Sequence, residues 1–307
     1  MTRIVIAGSI NMDVVARTER HPRPGESVFG HDLRFVPGGK GSNQATAAGR
    51  LGGDVTFVGR LGKDAFGESL HASLKSEPLD LAYLRFSEDA PTGTALIIVD
   101  ENGENSIVIV PGANGTMTPA DVAEAPLAAG DVAVSQFEVP QAVIVALFER
   151  ARAAGATTVL NPAPMASFAD GLMALIDVLV VNETELALLA GVDTIPEALD
   201  DISAMAVGLR HTPRQTIVVT LGGRGALCIA GDERHHVPAR QVTPVDTTGA
   251  GDCFTGGLAV GLAEGRPLPD VLRFARLAAS ISVERPGAAT SLPTRGEVEA
   301  LESRLAR

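Results

Sequence analysis

Residues 245–262 read VDTTGAGDCFTGGLAVGL, a polar loop that runs into a helix of small and apolar residues. Gly249 and Gly251 flank Ala250 and permit a tight turn whose backbone N–H groups lie bare. The helix starting at about residue 251 turns its partial positive end to the same place. Loop and helix start together form an anion hole that needs no basic side chain. Asp252 stands inside this turn. An aspartate at a helix start is most often only a cap. A carboxylate beside an anion hole is nevertheless unfavourable unless it does chemical work. The work that suits it is general base: Asp252 takes a proton from a hydroxyl while the amides of Gly249, Ala250 and Gly251 hold developing phosphoryl charge.

Outward from this stretch, short β-branched runs recur at 3–7, 55–59, 132–136, 157–161, 178–182 and 216–221. Most are continuously apolar, as strands covered on both faces are. Helical spacing fills the intervals at 42–51, 65–75, 141–154, 196–209, 251–264, 268–284 and 295–305. The alternation predicts a three-layer α/β/α sandwich with a mostly parallel central sheet. Two segments break the rhythm. Residues 14–35 carry Pro22, Pro24, Gly25 and Gly30 among β-prone pieces. Residues 92–111 read as two strands joined by Asp100-Glu101-Asn102-Gly103, a hairpin signal. They predict a small β-sheet lid from about 12–38 and 92–111 on a single domain spanning 1–307.

Composition narrows the function. The 307 residues carry a formal charge of −12, and among 25 basic residues only Lys40, Lys63 and Lys75 are lysines. Nucleic acid is excluded as a partner, for want of a basic face. Aromatics amount to 4 %, too few for base-stacking platforms or a membrane belt. No apolar run is long enough to span a bilayer. Cys228 and Cys253 have no metal spacing and read as reduced, buried thiols, so the expected compartment is the cytoplasm. The six histidines show no ligand spacing. A G-x-x-x-x-G-K-[ST] loop is absent, and the turn after the first strand, Gly8-Ser9-Ile10-Asn11, lacks the later glycines of a dinucleotide fingerprint.

The 245–262 stretch resembles the GAGD signature of the ribokinase-like (phosphofructokinase-B type) sugar and nucleoside kinases. PGGKGSNQATAAGRLGG at 37–53 resembles the second signature of that family. Its narrower form, together with GSINMD (8–13), PGE (24–26), NPAP (161–164) and NETE (182–185), resembles the branch that phosphorylates ribose. The matching motifs run over nearly the whole chain. Ser42 and Cys253 depart from the commoner residues beside the site.

The resemblance implies ATP-dependent phosphorylation of D-ribose at the 5-hydroxyl, with Asp252 as base. It places Asn11, Asp13, Gly39, Lys40, Asn43 and Glu138 around the sugar. Such amides and carboxylates suit a ring of hydroxyls on chemical grounds too. Asn182, Thr220, Gly222, Gly223, Gly225, Gly251 and Arg276 would bind the nucleotide. Glu185 would position Mg²⁺ through water. Asp246, Thr248, Ser282, Arg285, Gly287 and Ser291 would hold K⁺, mostly by backbone oxygens. A homodimer formed through the lid is also implied. Three alternatives stay open: a kinase for another pentose or ketohexose, a nucleoside kinase, and a sugar-binding sensor without turnover.

Overall fold

The computed structural model of the chain describes residues 2–306. Its strands are β1 (Arg3–Ala7), β2 (Asn11–Thr18), β3 (Gly30–Gly38), β4 (Asp54–Gly62), β5 (Leu79–Ser87), β6 (Gly93–Val99), β7 (Asn105–Val110), β8 (Val132–Gln136), β9 (Thr157–Asn161), β10 (Val178–Asn182), β11 (Thr216–Thr220), β12 (Ala226–Ala230) and β13 (Glu233–Val237). Its α-helices are α1 (Lys40–Arg50), α2 (Ala65–Lys75), α3 (Pro119–Val122), α4 (Gln141–Ala154), α5 (Glu183–Ala190), α6 (Leu199–Leu209), α7 (Ala250–Ala263), α8 (Leu268–Ser282) and α9 (Arg295–Leu305).

Nine strands form one sheet in the order β13-β12-β11-β10-β9-β8-β1-β4-β5. All neighbours are parallel except at β11/β12 and β12/β13. The apolar strand runs follow from burial on both faces. Along β1, Ile4 and Ile6 enter one core while Val5 and Ala7 enter the other. The first core is closed by α1, α2, α7, α8 and α9, the second by α3 to α6. The expected three-layer sandwich is therefore present. Strand order reverses at β1, which pairs with β8 on one side and β4 on the other. Such a switch point opens a crevice at the C-terminal strand ends, where ligands of open α/β sheets bind.

Helix α1 crosses α7 at close range. A Cβ on Gly256 would stand 2.7 Å from the Ala47 Cβ and 2.9 Å from the Gln44 carbonyl. This small-residue crossing brings the N-terminal turns of both helices to the same crevice.

The lid is a second sheet of order β3-β2-β6-β7. Strands β6 and β7 form the expected antiparallel hairpin, and the Asp100 carboxylate accepts from the N–H groups of Asn102 and Glu104 at 2.9 and 3.0 Å in its turn. Leu33, Phe35, Leu96 and Val108 stand exposed on this sheet, and Phe29 is fully exposed beside it.

Several boundaries differ from expectation. Helix α1 begins at Lys40 and not at 42, because Gly39 (φ 95°) turns the chain and its carbonyl accepts the first helical N–H, that of Asn43. Helix α6 begins at Leu199, leaving Pro196 outside it. Strands β5, β12 and β13 were not foreseen; β13 reads ERHHV, too polar to announce a strand. No described helix is long and apolar enough to cross a membrane.

Candidate active site

The chain leaves β1 and β8 at the switch point, and this brings Ser9, Asn11 and Glu138 together. Glu138 Oε2 accepts from Ser9 Oγ at 2.5 Å, from the Lys40 N–H at 3.1 Å and from Asn11 Nδ2 at 3.4 Å. Asn114, from the loop after β7, donates to the Asn11 side chain at 2.7 Å and exchanges hydrogen bonds with the Ile10 backbone. Asn11 and Asp13 lie two apart on β2 and share a face, as expected. A Cβ on Gly38 would touch the Asp13 carboxylate, so the glycine leaves that carboxylate its space.

Asp252 closes the far side of this cluster. It lies on the first turn of α7, 7 % exposed. Asn43 Nδ2 donates to its Oδ2 at 2.9 Å, and Gln44 Nε2 donates to its Oδ1 at 3.0 Å. Gly249 caps α7 with φ 75°, a conformation that favours glycine. That turn leaves the first amides of the helix facing the crevice.

The electrostatics are lopsided. Burial, then Glu138 and Asp252, push the Asp13 carboxyl up to about 7, with Lys40 opposing. Burial also pushes Asp252 upward, against Lys40 and the two amide donors. For Lys40, burial alone would favour the neutral amine. Asp252, Glu138, Glu185 and Asp13 outweigh it and hold the ammonium above its ordinary range. One lysine thus faces four carboxylates in a site poised to receive donors and further cations.

Two cavities adjoin Asp252. One of about 220 Å³ is lined by Lys40, Asn161, Asn182, Glu185, Gly249, Gly251, Asp252 and Thr255. The other, of about 490 Å³, shares Asn182, Thr220 and Gly251 with it and extends past Gly222, Gly223, Gly225 and Phe254 to Arg276. All residues expected at the nucleotide thus line one continuous hollow. Within it the Arg276 Nε is buried and unpartnered. Burial and the nearby Arg240 weaken the hold of Arg276 on its proton.

Asn182 and Glu185 form a reciprocal capping box at the start of α5, with bonds of 2.8 and 2.9 Å. The box uses only one carboxylate oxygen, Glu185 Oε2. Burial pushes this carboxyl up, while the Asn182 N–H and Lys40 oppose.

Asp246 ties the loop before α7 to the segment after α8. Its carboxylate accepts from the Thr248 N–H and the Gly287 N–H, both at 2.9 Å. Ser282 and Ser291 turn their hydroxyls onto the carbonyls of Ala279 and Ala288, and Arg285 pairs with Glu297. Arg50, at the end of α1, donates to the carbonyls of Ala289 and Leu292 at 3.0 Å each. Of the six residues expected at K⁺, Asp246 and Thr248 thus lie before α7 and Ser282, Arg285, Gly287 and Ser291 at or after the end of α8, with Asp246 bonding across to Gly287.

Sequence reasoning did not single out Ser9, Gln44, Asn114, Gln136 or Asn161, all of which hold the site together. Ser9, Gln44 and Asn161 stood inside the motifs quoted above. The available signal was a polar amide in an otherwise small-residue or apolar run.

Over residues 1–295 the chain matches the family described as pfkB family carbohydrate kinase. It is similar to the ribokinase of Staphylococcus aureus (strain COL), 37 % identical over 303 residues covering 96 % of this chain and 98 % of that protein. It is likewise similar to the ribokinase of Bacillus subtilis (strain 168), 38 % identical over 305 residues covering 99 % and 100 %. Among solved structures, Arabidopsis thaliana ribokinase complexed with ribose and ATP superimposes with a TM-score of 0.89 at 33 % identity, covering 98 % of this chain and 99 % of that one.

Proposed function

The chain belongs to the pfkB family of carbohydrate kinases, and from that premise we propose that it transfers the γ-phosphoryl group of ATP to the 5-hydroxyl of D-ribose. One observation carries the reading. Buried Asp252 stands between a cluster of hydroxyl-binding side chains and a hollow that opens toward Arg276. Likeness to ribokinases names the sugar. We read the whole chain as one kinase domain that carries its own lid.

In this account Asp13 and Glu138 accept from ribose hydroxyls, and Asn11 and Lys40 donate. The buried Asn43 Oδ1 has no partner, so it is free to accept from the sugar. Asp252 takes the O5 proton as O5 bonds to the γ-phosphorus. The bond from that phosphorus to the β–γ bridging oxygen breaks, and ADP leaves with the electron pair. The amides of Gly249, Ala250 and Gly251, with Lys40, face the charge that spreads over the transferring group. Asn182 lies at the phosphates, and Thr220, Gly222, Gly223, Gly225 and Arg276 line the rest of the nucleotide. ATP is an intracellular metabolite, and we place the reaction in the cytoplasm.

The residues fit two cations. Glu185 lines the smaller cavity with one carboxylate oxygen unused, a hard donor suited to hydrated Mg²⁺. When bound there, Mg²⁺ supplies neutralisation of phosphate charge. Among the described residues no N–H donates to the carbonyls of Asp246, Thr248, Arg285 or Gly287. That hard oxygen set suits K⁺, with Ser282 and Ser291 at its edge. Its effect would be to order the 246–251 loop. Equal turnover in K⁺ and tetramethylammonium would remove K⁺ from the account. The exposed lid face of Leu33, Phe35, Leu96 and Val108 fits a second copy of the chain. A monomer in sedimentation at micromolar concentration would contradict that dimer.

The direct test is ADP release across ribose, 2-deoxyribose, fructose, tagatose and adenosine. Ribose should give the highest kcat/KM. Preference for another acceptor would replace the sugar, and tight ribose binding without turnover would make the protein a sensor.

The site also predicts a pH effect. The Asp13 carboxyl is pushed up to about 7, so it is mostly protonated below that pH and accepts poorly from two hydroxyls. The KM for ribose should rise as pH falls from 8 to 6, by roughly tenfold per unit below 7 at most. A KM flat over that range would show Asp13 to be fully ionised or away from the sugar.

A further inference from the structure

We propose that Gln44 is a positioning residue for the base: its side-chain amide fixes the plane and orientation of the Asp252 carboxylate. The inference rests on Asp252 being the base.

Gln44 is 0 % exposed on α1, one residue from Asn43. Its Nε2 donates to Asp252 Oδ1 at 3.0 Å and to Asn161 Oδ1 at 3.2 Å. Its Oε1 accepts from Gln136 Nε2 at 2.6 Å. Asn161 Nδ2 in turn donates to the Val180 carbonyl at 3.0 Å. The relay therefore links β8, α1, β9 and β10 through amides and ends on α7 at the Asp252 carboxylate.

Its polarity is forced from two ends. The Val180 carbonyl can only accept, so Asn161 must turn its NH₂ to it and its Oδ1 toward Gln44. An ionised Asp252 also only accepts. Gln44 therefore has to point its NH₂ at both oxygens and its Oε1 at Gln136. A flipped Gln44 would set its oxygen against two others. The amide is locked in the one orientation that donates to the base.

Gln44 lines neither of the cavities that adjoin Asp252, so it reaches the reaction only through that residue. Burial, with Glu138, raises the Asp252 pKa, and Lys40 together with donation from Asn43 and Gln44 opposes the rise. Without Gln44 the base keeps one amide donor, can rotate, and holds its proton to higher pH.

The test is the pH profile of kcat in Gln44→Met and Gln44→Glu, with Gln136→Met and Asp252→Asn measured alongside. Gln44→Met should lose roughly tenfold to a hundredfold in kcat at pH 7, with the acid limb moved up by about one pH unit and the KM for ribose changed by less than about threefold. Gln44→Glu keeps the size of the side chain and sets a second carboxyl against the first, so its acid limb should move at least as far. This variant carries the test if Gln44→Met does not fold. Gln136→Met breaks the same relay but leaves donation to Asp252, so it should lower the melting temperature and leave the limb in place. Folded Gln44 variants with the wild-type limb and kcat, beside an inactive Asp252→Asn, would overturn the role of Gln44 alone. A fully active Asp252→Asn would overturn the base and this inference together.

Discussion

Asp252→Asn should lower kcat for ribose phosphorylation by about a thousandfold while ribose affinity changes by less than about threefold. An amide of the same shape cannot take the O5 proton, yet it leaves the hydroxyl-binding set of Asn11, Asp13, Lys40 and Glu138 in place. One oxygen remains for either Asn43 or Gln44; the other donor then faces an NH₂, so a modest fall in melting temperature accompanies the loss. Steady-state kinetics and calorimetric titration with ribose separate the two effects. Loss of binding in proportion to turnover would make Asp252 a sugar ligand and not the base.

Gly41→Ala should be severely damaging, because the added methyl group meets backbone on every side. A Cβ there would stand 2.4 Å from the Ser9 nitrogen and 2.5 and 2.6 Å from the Gly8 carbonyl carbon and Cα. All three are backbone atoms at the end of β1 and cannot swing aside. Helix α1 would have to move off the sheet, carrying Lys40, Asn43 and Gln44 with it. The overpacking should cost about 3 kcal/mol, which lowers the melting temperature by roughly 5 °C in a chain of this length, and ribose binding should be lost. Gly251→Val makes the opposite case. Nothing lies within 4 Å of a Cβ there, and Gly251 lines both cavities. Its melting temperature should stay within about 2 °C, while the isopropyl group blocks the anion hole and kcat falls roughly a hundredfold or more. Thermal scans and kinetics on both variants check the pair. A Gly41→Ala protein as stable as the parent, or a fully active Gly251→Val, would contradict it.

These contrasts show what was legible in the chain and why. The 245–262 loop and the 37–53 stretch declare themselves because glycine and small residues have local reasons to stand there: a positive φ at Gly249, a close approach at Gly41. The sandwich was readable from continuous apolar runs such as residues 3–7, whose alternate side chains fill two separate cores. Strands β5 and β13 were not, because these edge strands carry charged residues and lack a continuous apolar pattern; β12, an inner strand reading ALCIA, did carry that pattern and was missed. Gln44, Gln136 and Asn161 could not be joined by reading along the sequence. Their hydrogen bonds run between residues about 90 to 210 positions apart, so the relay exists only once α1 and α7 have crossed. Glu185 does two things at once: it is half of a capping box, and it still presents an unused oxygen to the smaller cavity. The acidic balance of the chain excluded a polyanion held by basic side chains. An anion held by amides and a helix end does not depend on that balance.

The product formed from ATP and D-ribose is read directly by ³¹P NMR. One phosphomonoester per ADP is expected, coupled to the two methylene protons at carbon 5 of the sugar. A phosphate on another carbon, or inorganic phosphate in place of a sugar ester, would contradict it.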